Sequence, residues 1–268
     1  MYDGIADYLE IMRLAGMSEV KKATQKTTIT RVMDASPPVN EHLAGTPVIQ
    51  TADSKRQTAA ELSFTPFAPL QLPNGSKAEQ LCFLADQVAQ CIRCKDLAEF
   101  RTQTVFGIGN LDSPLVFLGE APGADEDKKG EPFVGRAGQL LTDIIVKGMK
   151  LRREDVYICN ILRCRPPGNR NPMPDEAAHC RQFLDLTLEV IKPKFICCLG
   201  AVAAKNLLDS EQTIGALRGK VWKYNGIKVI CTYHPAYLLR NPSAKRDAWN
   251  DIQLLMREME MHTITAAQ

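Results

Sequence analysis

Four short apolar runs, separated by stretches of helical periodicity, constrain the fold of this chain more than any other feature. The runs cover residues 115–118, 156–161, 195–199 and 229–233. They are apolar at consecutive rather than alternate positions, which is typical of strands buried on both faces of a parallel sheet. Helical patterns cover residues 140–149, 175–191, 202–208 and 248–259. We therefore predict an α/β fold, a three-layer αβα sandwich around a four-stranded parallel sheet with right-handed crossovers.

The first part of the chain lies outside this pattern. Residues 1–75 change character several times and are broken by prolines, so we predict a flexible, largely disordered amino-terminal extension. Residues 76–268 then form the globular domain. The chain has 268 residues, 45% of them hydrophobic, which is enough for a full core.

Charge and hydropathy exclude several classes of protein. The net charge is only +2, so the chain is no polycation and any nucleic-acid surface must come from local clustering. No apolar run approaches the roughly 20 residues of a membrane span, and the first residues lack the order of a secretory signal. We expect a soluble, cytoplasmic protein with no membrane association.

Polar residues stand where three of the four apolar runs end. They are Gly119-Glu120, Asn160 and His234. Ligands of open α/β sheets bind outside the carboxyl ends of the strands. We therefore predict that these residues share one crevice.

The nine cysteines fall into two groups, and their odd number argues against a fully paired disulfide framework. Five lie in apolar surroundings and are predicted to be core residues: Cys82, Cys159, Cys197, Cys198 and Cys231. The other four lie beside charges, prolines and a histidine: Cys91, Cys94, Cys164 and Cys180. Four thiolates suit a [4Fe–4S] cluster and a structural zinc ion equally, and their spacing does not choose between the two.

Four motifs follow one another along the chain. They are Gly119-Glu120-Ala121-Pro122-Gly123 with Glu126-Asp127, Glu131-Pro132-Phe133-Val134-Gly135-Arg136-Ala137-Gly138, Asn160 with Cys164-Arg165-Pro166-Pro167-Gly168-Asn169-Arg170, and His234-Pro235-Ala236-Tyr237-Leu238-Leu239-Arg240. From about residue 81 to residue 259 the chain resembles the family 4 uracil-DNA glycosylases, the iron–sulfur branch of their superfamily. The resemblance implies hydrolysis of the N-glycosidic bond of uracil in DNA, which leaves an abasic site for base-excision repair.

Three of the motif residues match the needs of this chemistry. The enzyme must flip the nucleotide out, read its edge, stack on it and stabilise negative charge on the departing base. The Asn160 amide offers a donor for uracil O4 and an acceptor for N3–H, whereas cytosine presents the reverse pair. By resemblance, Phe133 stacks on the base and His234 donates to O2. A strand-capping asparagine, a hydrophobic plug and a capping histidine are the ordinary structural alternatives.

The first motif contributes the remaining pocket residues that the resemblance implies. Ala121 stands where better-known families have an aspartate that positions water, so Glu120 or the backbone must hold the water instead. We therefore expect leaving-group stabilisation to dominate over general-base catalysis. Glu126 is predicted to lie near uracil C5 and to help reject the methyl group of thymine.

Contacts to DNA are predicted around the third and fourth motifs. Leu238 is predicted to occupy the gap left by the flipped base. Arg165, Arg170 and Arg240 are predicted to neutralise phosphates. Further basic residues concentrate positive charge near the third motif, and solvated charge is the ordinary alternative for them: Lys147, Lys150, Arg152, Arg153 and Arg163.

The resemblance also favours a cofactor, and the residues of the pocket motifs argue against a lyase step. It implies a structural [4Fe–4S] cluster on Cys91, Cys94, Cys164 and Cys180, which would clamp the loop over residues 165–174; zinc stays the alternative. No lysine stands in the pocket motifs to form a Schiff base, so we expect a monofunctional enzyme. We expect a monomer whose partner is uracil-containing DNA, with a replication clamp or repair protein as a further candidate partner.

Two other functions remain open at this level. One is a sister enzyme that prefers other deaminated bases or traps the sugar covalently through its histidine. The other is a non-catalytic DNA-binding module in which the Cys₄ site folds a basic surface. That module would leave the series Glu120, Phe133, Asn160 and His234 without a purpose.

Overall fold

The structure is a computed structural model that describes residues 68–260. The extension predicted over residues 1–75 therefore lies almost wholly outside the described residues, as do the last eight residues of the predicted domain. Residues 68–75 contain no helix or strand, and Leu72 packs against the core. The first described helix, α1 (Lys77–Ala89), begins after Ser76. The Ser76 hydroxyl accepts from the Glu79 amide while the Glu79 carboxylate accepts from the Ser76 amide, a capping box that satisfies two helix-end donors.

A single six-stranded sheet forms the centre of the described domain. Its strands are β1 (Ile108–Gly109), β2 (Leu115–Gly119), β3 (Tyr157–Asn160), β4 (Phe195–Leu199), β5 (Val221–Tyr224) and β6 (Ile227–Thr232). The order across the sheet is β1-β3-β2-β4-β6-β5. The four central strands are parallel, which confirms the predicted sheet, and β1 and β5 add an antiparallel strand at each edge.

Helices cover both faces of the sheet, as the sandwich requires. After α1 they are α2 (Lys95–Phe100), α3 (Ala124–Lys129), α4 (Arg136–Asp143), α5 (Pro174–Ile191), α6 (Ala201–Leu208), α7 (Ile214–Leu217), α8 (Pro235–Arg240) and α9 (Lys245–Glu258). A π-helical turn (Ile144–Gly148) continues α4, and single 3₁₀ turns lie at Arg153–Asp155, Pro167–Asn169 and Pro242–Ala244. None of the helices within residues 68–260 is long and apolar enough to cross a membrane.

Consecutive residues of the central strands enter two different cores. In β2, Val116 and Leu118 belong to the core that α1, α5 and α6 cover, whereas Leu115 and Phe117 belong to the core under α4 and α9. Strand side chains alternate between faces, so a strand buried on both faces is apolar throughout. This is the physical basis of the runs seen in the sequence.

Four of the five predicted core cysteines are buried. Cys159, Cys197, Cys198 and Cys231 are buried in the central strands, as expected. Cys82 is exposed on α1, which corrects its assignment to the core.

The hairpin of β5 and β6 was missed, although the sequence carries a signal for it. Asn225-Gly226 connects the strands with positive φ at both positions, 47° and 83°. Asn-Gly is the pair that two-residue hairpin turns of this kind favour. The hairpin extends the sheet by one strand on the side of β6.

Candidate active site

A cavity of about 380 Å³ opens at the carboxyl ends of the parallel strands. Four loops that follow β2, β3, β6 and α3 supply most of its wall. The predicted pocket residues line it together: Glu120, Ala121, Glu126, Phe133, Asn160 and His234. Parallel strands end at the same sheet edge, which is why residues more than a hundred positions apart meet here.

The Asn160 amide lies at the bottom of this cavity. Asn160 ends β3 beside Gly119, the last residue of β2, and its side chain is 2% exposed. The Oδ1 atom is buried, and no hydrogen bond from the described residues reaches it. A side chain on Gly119 would collide with this oxygen and with the Phe133 ring. An unmatched buried amide is costly, so a ligand that supplies the missing partner would bind strongly here.

Phe133 places its ring between the amide and the imidazole. It is 6% exposed, and its ring centroid lies 5.6 Å from that of His234 with the planes tilted by 31°. Its backbone φ is +55°, in the left-handed region that residues other than glycine rarely occupy. Such a backbone persists only where its surroundings hold it.

Glu126 was predicted to lie near uracil C5. It lines the cavity, and its carboxylate also connects two loops, which was not predicted. Oε1 accepts from the amides of Val134 at 3.0 Å and Gly135 at 3.1 Å, and Oε2 accepts from the amide of Gly123 at 3.1 Å. The carboxylate therefore ties the loop after Phe133 to the start of α3.

His234 follows β6 and caps α8 with its side chain. Its Nδ1 accepts from the Ala236 amide at 3.1 Å, so in the neutral ring the proton sits on Nε2. Burial, with a smaller effect from the charge of Arg240, lowers the pKa of His234 to about 4. The ring is therefore neutral at physiological pH and has one N–H to donate.

Glu120 and Ala121 form the wall between β2 and the cysteine region. Burial raises the pKa of Glu120, and its carboxylate makes no hydrogen bond or ion pair within residues 68–260. Ala121 lines the cavity and also packs against the small cluster that contains Cys164 and Cys180. The cavity and the cysteine region thus share a wall.

The fourth motif forms α8, and in this structure Leu238 is buried instead of lying at the rim of the cavity. Leu238 is 3% exposed and packs against Leu140 and Ala248, because the helical turn directs it into the core. Tyr237 lines the cavity instead and is 39% exposed. Its ring stacks on Tyr233 with centroids 5.1 Å apart. The sequence assigned Tyr237 no role, although it lies within the motif.

The three arginines predicted to contact phosphates differ in the partners that the structure gives them. Arg240 is exposed, lines the cavity and has no ion pair within the described chain. Arg170 also lines it, but its guanidinium holds both oxygens of Glu176, at 2.6 and 2.8 Å. Arg165 donates to Asn169 and lies over the ring of Phe100.

Two other arginines of the predicted basic set are turned inward. Arg163 is 1% exposed and donates to the Phe106 carbonyl, which excludes it from any DNA contact. Arg153 is half-buried and donates to the loop of Phe133. Lys147 and Arg152 pair with nearby acidic side chains at the surface.

The four cysteines assigned to a metal or cluster come from three separate segments and lie near one another. Cys164 and Cys180 are buried in one cluster with Leu97 and Leu162, and Cys94 packs against it. Burial, followed by the charges of the neighbouring thiols including Cys91, raises the pKa of Cys94 to about 12. Burial likewise raises the pKa of Cys180 to about 11. A cationic centre is what would stabilise such a group as thiolates.

The cysteine group also has neighbours that can donate to sulfur. Arg101 Nη1 donates to Cys164 Sγ at 3.1 Å, and His179 Nδ1 lies 3.3 Å from Cys94 Sγ. Within residues 68–260, no group of three or more histidine, cysteine, aspartate or glutamate side chains is close enough to hold a single metal ion. The thiols are thus neighbours without converging on one point.

Comparison with known proteins identifies the family. A model of the uracil DNA glycosylase superfamily matches residues 106–253, more than half of the chain. A type-4 uracil-DNA glycosylase of Archaeoglobus fulgidus is 45% identical over 183 residues, which are 65% of this chain and 91% of that protein. One of Thermotoga maritima is 47% identical over 170 residues, 63% of this chain and 88% of that protein.

The chain belongs to the type-4 uracil-DNA glycosylases. This confirms the resemblance seen in the motifs. A type-5 uracil-DNA glycosylase of Pyrobaculum aerophilum is less similar, at 26% identity over 57% of this chain and 81% of that protein.

The matched segment contains the pocket of this type-4 uracil-DNA glycosylase but only half of its cysteine group. Glu120, Phe133, Asn160 and His234 all lie within residues 106–253. Cys91 and Cys94 precede that segment, on the connection between α1 and α2. The cysteine group therefore joins the amino-terminal helices to the domain that carries the pocket.

Proposed function

We propose that this chain is a monofunctional uracil-DNA glycosylase that hydrolyses the N-glycosidic bond of a flipped-out uracil. Water adds to the sugar carbon while the bond to the base nitrogen breaks, which yields free uracil and an abasic site. One observation carries the proposal. An aromatic ring, an unmatched amide and a neutral imidazole with one N–H line a single cavity at the sheet edge.

Asn160 is proposed to read the edge of the base. Its amide can accept from uracil N3–H and donate to O4, and cytosine offers the opposite pair. Because a wrong base would leave the buried amide unmatched, discrimination against cytosine should be large. Stacking on Phe133 would add about 1–3 kcal/mol of binding, the usual range for a base on an aromatic ring.

His234 is proposed to stabilise the leaving uracil anion. Negative charge collects on uracil O2 as the bond breaks, and Nε2–H of the neutral ring is the group that can donate to it. Its partner on the other side, the Ala236 amide, fixes the tautomer before the substrate arrives. A preset donor needs no reorganisation in the transition state.

Glu120 is proposed to hold the attacking water, because Ala121 offers no polar group for it. The Glu120 carboxylate lines the cavity and has no hydrogen-bond partner in the described part of the chain. The assignment of Glu126 to the rejection of thymine remains a prediction. Its carboxylate lines the cavity but is engaged with three backbone amides.

Tyr237 is proposed to replace Leu238 as the side chain that contacts the bases beside the flipped nucleotide. Its exposed ring continues a stack in which Arg218 lies over Tyr233 at 5.1 Å and Tyr233 stacks on Tyr237. Arg240 is proposed to contact a phosphate at the same rim. Arg170 can do so only by sharing its guanidinium with Glu176.

A [4Fe–4S] cluster on Cys91, Cys94, Cys164 and Cys180 is proposed as a structural cofactor. The donor set fits, since it has four thiols and two of them are buried. Four thiolates can hold a four-iron cluster or a single zinc ion, and the resemblance of the motifs favours the cluster. The cluster would hold α1, α2 and α5 around the loop over residues 165–170. Iron content and visible absorption of purified protein would distinguish it from zinc.

The experiment that tests the function is release of uracil from a labelled oligonucleotide, followed by alkaline cleavage. The unaltered chain should release uracil, and Asn160→Ala and His234→Ala should each lower the single-turnover rate by roughly 10²–10³-fold. Ile108→Ala, an exposed residue on the edge strand, is the matched control. No release by the unaltered chain, or full activity in both pocket variants, would refute the proposal.

A sister activity on other deaminated bases is the second candidate, because hypoxanthine and xanthine present to Asn160 the same acceptor and N–H donor pair as uracil, at O6 and N1. Duplexes with uracil, hypoxanthine or xanthine in the same sequence would separate the two activities.

We further propose that the enzyme acts as a monomer in the cytoplasm. Light scattering with and without uracil-containing DNA would test whether the enzyme is a monomer.

A further inference from the structure

Two charged side chains hold the loop of Phe133 from opposite sides, and the pocket motifs assigned neither of them to this task. From one side Glu126 accepts from the amides of Val134 and Gly135. From the other side Arg153 donates through Nη2 to the carbonyls of Pro132, at 2.9 Å, and Phe133, at 3.0 Å. The backbone groups directly before and directly after the Phe133 ring are thus both occupied.

Arg153 is itself held in place by the helix behind the loop. Its Nη1 donates to Thr142 Oγ1 at 3.0 Å, and that hydroxyl donates to the Gly138 carbonyl at 3.0 Å. The loop also lies directly on α4, because a side chain at Gly138 would collide with the Phe133 backbone. The guanidinium therefore connects the loop to α4 rather than to solvent.

This arrangement explains how Phe133 keeps an unfavourable backbone. A φ of +55° is strained for phenylalanine, and a free loop would relax to negative φ and move the ring. The guanidinium opposes that relaxation, because Nη2 donates to both carbonyls while Nη1 is held by Thr142. Lysine has a single nitrogen and cannot reach the carbonyls and Thr142 in the same geometry. Ring position and backbone conformation are coupled through these bonds.

We propose that Arg153, together with Glu126, is a positioning residue that presents the Phe133 ring to the flipped base. This inference rests on the proposed function but concerns residues that do not need to touch DNA. The sequence analysis grouped Arg153 with the basic surface. We infer instead that it acts inside the protein, on the loop of Phe133. It also gives Glu126 a task that is independent of any contact with uracil C5.

The first test does not depend on enzymatic activity. Hydrogen exchange is followed in peptides that cover residues 131–138 in the unaltered chain, Arg153→Met and Arg152→Met. Arg152 is the matched control, since it is exposed and donates to Asp155 instead of the loop. Arg153→Met should raise exchange in this loop at least about tenfold, and Arg152→Met should leave it unchanged. Unaltered exchange in Arg153→Met would overturn the inference, whatever the enzyme does to DNA.

The second test is a double-mutant cycle in kcat/KM for uracil release. Arg153→Met should lower kcat/KM by about 10- to 100-fold, as displacements of about 1 Å in a site do. In a Phe133→Ala background the same change should have less than about a twofold effect, because no ring remains to be positioned. Equal losses in both backgrounds would show that Arg153 acts elsewhere and would overturn the inference.

Two further variants separate positioning from loss of folding. Arg153→Lys keeps the charge but loses the second nitrogen, which Thr142 holds, so it should recover only part of the lost kcat/KM. Glu126→Gln keeps one acceptor oxygen for Val134 and Gly135, so it should lose less than Glu126→Ala. Full recovery by Arg153→Lys, at an unchanged melting temperature, would contradict the role of the two guanidinium nitrogens. If the unaltered chain releases no uracil, the proposed function fails, and the exchange experiment alone decides the inference.

Discussion

The uracil pocket and the cysteine group are neighbours that share Ala121 as a wall, yet they are organised in opposite ways. In the pocket, hydrogen bonds within the protein already hold His234, through the Ala236 amide, and the loop of Phe133, through Glu126 and Arg153. In the cysteine group, burial and mutual repulsion raise the pKa values of Cys94 and Cys180, so the thiolates gain stability from a bound cation.

This difference indicates that the cysteine group depends on a cofactor, whereas the pocket does not. The pocket has its donors and acceptors aimed before any ligand binds, which is how preorganised electrostatic sites work. The cysteine group joins three chain segments that no strand pairing connects to one another. We therefore expect metal loss to act first on stability and on the pocket only through the shared wall.

The largest expected effect is on stability and comes from removing one thiol of the group. Cys164→Ala should lose iron and lower the melting temperature by about 10 °C, at roughly 2–4 °C per kcal/mol for a domain of this size. Cys197→Ala, a buried thiol in β4, is the control and should keep its iron. Iron analysis and calorimetry measure both. Equal iron content in the two variants would contradict the assignment of Cys164 to the cluster and the contrast between the two regions.

The pocket should make its own contribution to the pH dependence of stability. The folded-state pKa of His234, about 4, lies below its ordinary value of 6.5, so the folded state resists protonation. The stability associated with neutral His234 is therefore present above pH 6.5 and is lost as pH falls toward 4. Between pH 7.5 and 4.5 the unaltered chain should lose about 2–3 kcal/mol more than His234→Gln in urea unfolding. If the free energy of unfolding changed equally with pH in both proteins, the burial of this ring would be contradicted.

A smaller effect is expected from the water-holding carboxylate. Glu120→Gln should lower the single-turnover rate about tenfold, well below the loss in His234→Ala, because leaving-group stabilisation dominates. The matched control is Glu131→Gln, a carboxylate on the surface paired with Lys129. If Glu120→Gln were as inactive as His234→Ala, the order of the two contributions would be wrong.

The smallest effect is expected at the exposed rim. Tyr237→Ala should weaken binding of uracil-containing duplex about fivefold, near the lower limit of base stacking, while Tyr237→Phe should stay within about twofold. Leu239→Ala, an exposed neighbour on α8, is the control. Fluorescence anisotropy with labelled duplex measures all three. Equal loss in Tyr237→Phe and Tyr237→Ala would exclude stacking as the cause.

The sequence was sufficient for the parallel core and for the meeting of the strand-end residues. Runs that are apolar on both faces indicated the four central strands, and residues that follow parallel strands must lie at one edge. This is why the sequence alone predicts that Asn160 and His234 lie in one crevice. The edge strands β1 and β5 were missed because they are short or half-exposed.

What the side chains do at that edge was decided by tertiary structure alone. Leu238 and Tyr237 are neighbours in one motif, but the turn of α8 buries the first and exposes the second. Arg153 finds its carbonyl partners about twenty residues earlier in the chain, and Arg170 is paired with Glu176. Periodicity reports burial averaged along a segment, whereas the partner of a charged group depends on contacts between segments. Those contacts exist only once the chain has folded.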